Sequence, residues 1–320
     1  MAESKKAEKG ELGVGLSPAH SKVWLDGKLV SMDDARLPFL THSFHYGVGV
    51  FEGIRCYKQD SGGSAIFRLR EHIHRLYESA LICLIEIPFA EADIVKANVD
   101  VMRANKMAEG YLRPVAFMGD GAMGLGAVND TRVGIACWAW PAYLGEEGVK
   151  KGIRTKISSI TRLPVSANMV RGKITGQYVN SVLAKREAVL AGYDEAILLD
   201  TNGLVAEGSG ENIFMVKGGT IYTPPLTSPI LAGVTRDTVM QLARNRSIPL
   251  EEKTFTRDSL YIADEAFFSG TAAEITPIRE VDNRKIGEGK PGPITRLIQD
   301  LFFQVTRGQL PRYHEWLTHL

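Results

Sequence analysis

The chain has little cysteine, no charge excess and no long apolar run. Cys56, Cys83 and Cys137 stand far apart. They offer no disulfide framework, no Cys-x-x-Cys redox pair and no cysteine metal cluster, so a reducing cytoplasm is the expected compartment. Lys plus Arg number 38 against 37 Asp plus Glu, a balance that argues against nucleic acid or an anionic membrane as partner. The longest apolar stretch, residues 133–144, is well short of the roughly 20 residues that span a bilayer. Tandem repeats and low-complexity blocks are also missing. The first residues are polar and charged with no apolar core for a signal peptide, and residues 1–18 are expected to form a disordered tail.

What is present reads as an ordinary globular protein of 320 residues, 44% apolar and 23% charged, long enough for two domains. Asp26-Gly27 supplies the positive φ angles of a tight hairpin over 22–30, and Ser61-Gly62-Gly63 marks a second one between 49 and 69. Ile73, Leu76, Tyr77, Ala80, Leu81 and Leu84 recur at helical spacing over 70–84. A helix over 91–105 and strands over 110–118 and 132–139 complete an α+β first half. Pro141, Gly145 and Gly148 break the pattern, so 140–148 is expected to connect a small domain at 19–139 to a larger one at 149–320. In the second half, helices are expected over 174–191, 235–244, 256–263 and 294–306. Strands are expected over 153–160, 266–269 and 275–281, with three short ones punctuated by Asn202-Gly203 and Gly218-Gly219.

Two segments carry chemistry. In Arg171-Gly172-Lys173-Ile174-Thr175-Gly176-Gln177-Tyr178, glycines flank a lysine and let the backbone approach a flat ligand. In Glu207-Gly208-Ser209-Gly210-Glu211-Asn212-Ile213-Phe214, a carboxylate sits beside a glycine-rich turn. An amine nucleophile, a tyrosine five residues on and a later carboxylate are the parts of a pyridoxal 5'-phosphate (PLP) site: the lysine makes a Schiff base, and the carboxylate keeps the pyridine nitrogen protonated so that the ring acts as an electron sink. Glu211 competes with Glu207 for that place. Gly233-Val234-Thr235 entering a helix gathers free N–H groups and a hydroxyl suited to a phosphate. His72 and His74, two apart on a helix, face different sides and do not read as a metal pair.

Together with His45-Tyr46-Gly47-Val48-Gly49-Val50-Phe51-Glu52-Gly53-Ile54-Arg55, Phe67-Arg68-Leu69-Arg70-Glu71-His72-Ile73-His74-Arg75-Leu76, Tyr111-Leu112-Arg113-Pro114 and Gly270-Thr271-Ala272-Ala273-Glu274-Ile275, these segments resemble the branched-chain amino-acid aminotransferases of PLP fold type IV, over about residues 23–308. The resemblance implies a two-domain fold, a small α/β domain plus a larger one with a β-barrel-like core, and PLP between them. It implies Lys173 as the catalytic Schiff-base lysine and Glu207 as partner of the ring nitrogen. Tyr178 is then expected on the cofactor's phenolic oxygen, and Arg75, Val234, Thr235 and Thr271 around the phosphate. The N–H groups near Thr271 and Ala272 are expected to meet the substrate α-carboxylate. Phe51, Met123, Leu125 and Trp140 would offer apolar surface, with Trp140 and Tyr143 as a lid; Arg113 and Tyr46, with Tyr111 nearby, would offer a place for a second carboxylate. Gln177 departs from the Asn usual in many relatives.

Within that fold type, D-specific aminotransferases carry an Arg and a His in the loop after the Arg113 strand, and Gly119-Asp120-Gly121-Ala122-Met123-Gly124-Leu125-Gly126-Ala127 has neither. The resemblance therefore implies amino transfer between L-leucine, L-isoleucine or L-valine and 2-oxoglutarate. Alternatives are another type IV transaminase, acting on D-amino acids or R-amines, an aminodeoxychorismate lyase, or a non-catalytic PLP-binding protein. A homodimer is the implied minimum, with Tyr46 reaching the neighbouring pocket; dimer against hexamer stays open.

Overall fold

The computed structural model describes residues 21–141 and 143–320. The expected tail at 1–18 lies outside the described residues. The first sheet contains β1 (Lys22–Leu25), β2 (Lys28–Ser31), β3 (Gly49–Phe51), β4 (Ile54–Lys58), β5 (Ser64–Phe67), β6 (Gly110–Met118) and β7 (Thr131–Trp138). Its order is β17-β5-β4-β6-β7-β1-β2, with β3 also on β6, where β17 (Leu317–His319) is the chain's last strand. Asp26 at φ 46° and Gly27 at φ 93° make the expected turn between β1 and β2. Helices α1 (His42–Tyr46), α2 (Leu69–Ile82) and α3 (Glu91–Ala104) belong to this half. The buried stripe of α2, Leu69, Ile73, Leu76 and Ala80, packs with Ile54, Ile66 and Leu112 of the sheet.

The second sheet holds nine strands and curls into a half-barrel. They are β8 (Ile153–Ile157), β9 (Glu195–Leu199), β10 (Val205–Gly208), β11 (Asn212–Lys217), β12 (Thr220–Thr223), β13 (Leu250–Glu252), β14 (Glu265–Gly270), β15 (Glu274–Val281) and β16 (Arg284–Lys285). β8 pairs in parallel with both β9 and β15, so the sheet is mixed. Its helices are α4 (Glu146–Lys151), α5 (Tyr178–Leu190), α6 (Val234–Asn245), α7 (Arg257–Tyr261) and α8 (Pro293–Thr306). Side chains alternate along β11. Phe214 and Val216 pack with Val239, Leu242, Ile298 and Phe302 of α6 and α8. Ile213 and Met215 join Ile197, Phe268 and Ile278 on the other face.

The α+β two-sheet fold is the one expected. Several elements differ in detail. The segment 175–177 is a 3-10 turn, and the α-helix starts only at Tyr178. The short strands after α5 are four, β9 to β12. Residues 146–148 of the expected connector are helical, in a helix whose Glu146–Lys150 and Glu147–Lys151 pairs lie one turn apart. β17 returns to pair with β5, so the expected 149–320 unit lends its last strand to the first sheet. We propose the division 19–139, 140–148 and 149–320 with that exception. No helix among the described residues is long and apolar enough to cross a membrane.

Candidate active site

A cleft between the two sheets brings together Phe51, Arg75, Tyr111, Arg113, Trp140, Tyr143, Lys173, Tyr178, Glu207, Val234, Thr235, Thr271 and Ala272. These come from β3, α2, β6, the connector, the segment before α5, β10, α6 and the β14–β15 turn. Two places where the chain approaches itself need glycine. A Cβ on Gly53 would lie 1.8 Å from the Tyr111 hydroxyl, and one on Gly233 would lie 2.0 Å from Asn212 Oδ1.

Lys173 is held by its backbone from both sides. Its N–H donates to Ser79 Oγ of α2 at 3.0 Å, and its carbonyl accepts the Phe51 N–H at 3.1 Å. Ser79 is fully buried and in turn donates to the Arg75 carbonyl at 2.8 Å. The Lys173 Nζ reaches the Tyr178 hydroxyl at 2.6 Å and lies over the Phe51 ring at 4.8 Å. Gln177 pins the preceding segment by donating to Asn168 Oδ1 at 2.7 Å and the Met169 carbonyl at 3.1 Å.

Glu207 is buried and receives three donors: Arg162 Nε at 2.7 Å, Asn212 Nδ2 at 3.1 Å and the Leu231 N–H at 3.0 Å. Burial raises its carboxyl above the ordinary value, while Arg162 and the Leu231 N–H oppose that rise. The carboxyl of Glu211, four residues on, accepts among the described residues only the Gly210 N–H, at 3.1 Å. Burial and the neighbouring Glu195 push its carboxyl up to about 8. Glu195 is itself fully buried and is held by Lys185 Nζ at 2.7 Å and Ser209 Oγ at 2.6 Å.

Also on the cleft wall, Arg75 is gripped by Glu52. Its Nε donates to Oε1 at 2.7 Å and its Nη2 to Oε2 at 2.8 Å, while Nη1 donates to the Ala232 carbonyl at 2.7 Å. Those three bonds leave two of the five guanidinium N–H groups for the cleft. Burial alone would raise the Glu52 carboxyl, but Arg75 and His72, whose Nδ1 lies 2.7 Å from Oε2, hold it well below the usual carboxylate range. Arg68 also crosses to the second half, donating to Asp237 Oδ2 at 2.6 Å and to Thr238 Oγ1 at 3.1 Å on α6. Gly233, Val234 and Thr235 open α6 against the cleft, and the buried Ser269 hydroxyl, which also lines it, has no hydrogen-bond partner.

One wall of the cleft is aromatic. Trp140 meets Tyr111 edge-on at 4.5 Å between ring centroids and Tyr143 at 5.8 Å. The Arg113 guanidinium lies 4.7 Å from the Phe51 centroid and 5.3 Å from that of Tyr111. Its Nη2 donates to the Tyr111 hydroxyl at 3.3 Å, its buried Nε has no partner, and among the described residues no carboxylate pairs with it.

Three expected residues do not line this cleft. Tyr46 is 39% exposed, Met123 41% and Leu125 89%. The loop that carries Met123 and Leu125 folds over Asn129, which donates to the carbonyls of Gly119 and Ala122, and its Gly124 carbonyl accepts from His42 Nε2 at 2.9 Å. That bracing holds both side chains outside this chain's own pocket. His72 is buried on Glu52 and His74 is exposed. Sequence reading missed Arg162, Ser79 and the structural use of Glu52. No local pattern pointed to the Glu52–Arg75 pair or to Arg162.

Comparison with known proteins gives this geometry a context. Residues 49–281 match the amino-transferase class IV family. The chain is 49% identical to a branched-chain-amino-acid aminotransferase of Pseudomonas aeruginosa, with 92% of this chain and 96% of that protein covered. It superposes on the Escherichia coli branched-chain amino acid aminotransferase with TM-score 0.91 at 42% identity, covering 94% and 99% of the two chains. The branched-chain amino acid aminotransferase of Thermobaculum terrenum, solved in its PLP-bound holo form, is similar at TM-score 0.87 and 36% identity, covering 93% and 98%.

Proposed function

The chain belongs to the class IV aminotransferases, and from that premise we propose that it moves the amino group between L-leucine, L-isoleucine or L-valine and 2-oxoglutarate in ping-pong fashion. PLP is its cofactor, and the cleft fits that group. The two unspent Arg75 donors, the start of α6 and the orphaned Ser269 hydroxyl suit a phosphate. The Glu207 carboxyl suits a cationic ring nitrogen, and the Lys173 amine suits an aldehyde. When bound, PLP supplies a carbonyl carbon and an electron-withdrawing ring.

The residues divide the remaining work. Lys173 Nζ, next to the Tyr178 hydroxyl, is placed to move a proton between the substrate α-carbon and the cofactor's aldehyde carbon. Glu207, fixed by Arg162 and Asn212, holds the proton at the ring nitrogen. Val234 and Thr235 at the start of α6, with Arg75 and Thr271, hold the phosphate. The Thr271–Ala272 turn receives the α-carboxylate. A leucine side chain rests on Phe51 and Trp140, and Trp140 with Tyr143 excludes water. Arg113 meets the distal carboxylate of glutamate and 2-oxoglutarate. The observation that carries the dual specificity is Arg113 itself, a guanidinium stacked on aromatic rings with an unpaired Nε and no carboxylate partner among the described residues.

The exposed Tyr46, Met123 and Leu125 support a homodimer, or a higher assembly built from it, in which one chain's α1 and loop 119–130 complete the neighbour's pocket. Three free cysteines support a cytoplasmic location.

Two experiments test this reading. Borohydride reduction of the purified holoenzyme followed by peptide mapping should place the pyridoxyl group on Lys173; label on another lysine would overturn the assignment. In Arg113→Ala, loss of a buried charge partner is worth about 2–5 kcal/mol. The 2-oxoglutarate half-reaction should fall by a corresponding factor and the leucine half-reaction much less. Equal losses in single-turnover rates would return Arg113 to general binding or structure.

A further inference from the structure

Arg55 lies outside the wall of the cleft, yet it holds two parts of that wall together. It stands on β4, 8% exposed. Its Nη1 pairs with Glu274 Oε1 at 3.1 Å and donates to the Ala272 carbonyl at 3.5 Å. Its Nη2 donates to the Pro141 carbonyl at 3.2 Å and to the Trp140 carbonyl. Both Nη groups are therefore committed, to one carboxylate and three carbonyls. Ala272 belongs to the β14–β15 turn, and Trp140 and Pro141 to the connector, so one side chain ties the turn to the lid.

Glu274 is built to receive it. It is 7% exposed and sits at φ 53°, a conformation that favours glycine. Its carboxyl is raised by burial, against the pull of Arg55 and a bond from the Tyr57 hydroxyl. A strained, buried acid persists where its surroundings over-determine it. Here the constraint is the guanidinium that also binds the Ala272 carbonyl two residues earlier in the same turn.

We propose that Arg55, anchored by Glu274, is a positioning residue for the substrate α-carboxylate subsite. This rests on the reading that the Thr271–Ala272 turn receives that carboxylate. Carbonyl oxygens are the wrong pole for an anion. Ala272 and Trp140 line the cleft, and Arg55 draws their carbonyls, with that of Pro141, onto its own positive charge. Without it, three acceptor dipoles lose their common donor beside the place where a carboxylate must bind. A lysine, with three donors on one atom, cannot span four acceptors as a planar fork does. Arg55 therefore acts through the turn and the connector, and its effect falls chiefly on ligands that carry the carboxylate.

Two probes of the holoenzyme separate this from a general structural role. 4-Methylpentanoate has the leucine skeleton and carboxylate without the amine, and 3-methylbutylamine has the amine without the carboxylate. Titrations follow the visible absorbance of the bound cofactor. In Arg55→Lys, the affinity for 4-methylpentanoate should fall about tenfold or more, the scale of a lost set of buried polar contacts, while cofactor affinity and the rate with 3-methylbutylamine stay within about twofold of wild type. Glu274→Gln keeps the shape but not the charge, so it should show the same asymmetry at roughly threefold. Equal losses for acid and amine, or undiminished acid binding in both variants, would overturn the proposal. A wild-type holoenzyme that reacts with the amine but gives no response to the acid would sink the reading of the turn itself, and that outcome is distinct because it requires no variant.

Discussion

Glu207 and Glu211 are four residues apart, both buried and both on the wall of the same cleft, yet their surroundings assign them opposite chemistry. Glu207 is supplied with an arginine, an amide and a backbone N–H. Glu211 has a single backbone N–H and faces a second carboxyl, Glu195, whose own charge is matched by Lys185. Burial favours the neutral form of both, and only donors and positive charge can oppose it. A cationic ring nitrogen beside Glu207 would add to that opposition, and on that ground we propose Glu207 as the carboxylate that keeps such a nitrogen protonated. Burial and the facing Glu195 instead hold Glu211 toward its neutral form. Residue type alone left the two in competition, because they flank the same glycine-rich segment, and only the resemblance favoured Glu207.

The contrast can be broken at its strongest point first. Glu207→Gln removes the charge and keeps the shape, and should slow the leucine half-reaction roughly 100-fold, the scale of losing one electrostatic stabiliser, with PLP still bound. A rate unchanged in that variant and lost in Glu211→Gln would exchange the two roles. Arg162→Met should act in the same direction by about tenfold, since a lost charge partner lets burial raise Glu207 further. Its rate loss should grow as pH falls, which a pH profile of the half-reaction would show; a uniform loss at all pH values would make Arg162 merely structural. The smallest effect on rate is expected for Glu211→Gln, whose signature lies in stability. Between the ordinary carboxylate value near 4.5 and about 8, the folded state binds a proton that the unfolded state has released. Stability is therefore lost as pH rises across that window. The glutamine variant should lack this loss, with a Tm advantage over wild type at pH 8 that shrinks toward pH 4. An advantage that grew toward acid would contradict the assignment.

The parts of the site that sequence made legible are those written in contiguous segments. Lys173 stands five residues before Tyr178, Glu207 lies on β10 beside a glycine-rich turn, and Thr235 lies in the first turn of α6. The hairpins at Asp26-Gly27 and Gly62-Gly63 were legible because their turns require positive φ. The residues that escaped act across the fold. Arg162 reaches Glu207 over 45 positions, Ser79 receives the Lys173 N–H over 94, and Arg55 reaches Ala272 over 217. No local pattern encodes those distances. Met123 and Leu125 lie off this chain's own cleft for a related reason: their apolar character was plain, but Asn129 and His42 decide which way their loop faces. α5 begins later than its spacing suggests because the 3-10 turn at 175–177 shares the helical spacing that follows it.

Protonation of the cofactor ring nitrogen by Glu207 is the central claim, and nitrogen-15 NMR of holoenzyme reconstituted with ring-labelled PLP reads that proton directly. The predicted result is a protonated-nitrogen shift in wild type and in Glu211→Gln, replaced by an unprotonated one in Glu207→Gln. A protonated nitrogen that survives in Glu207→Gln, or one that is lost in Glu211→Gln, would contradict it.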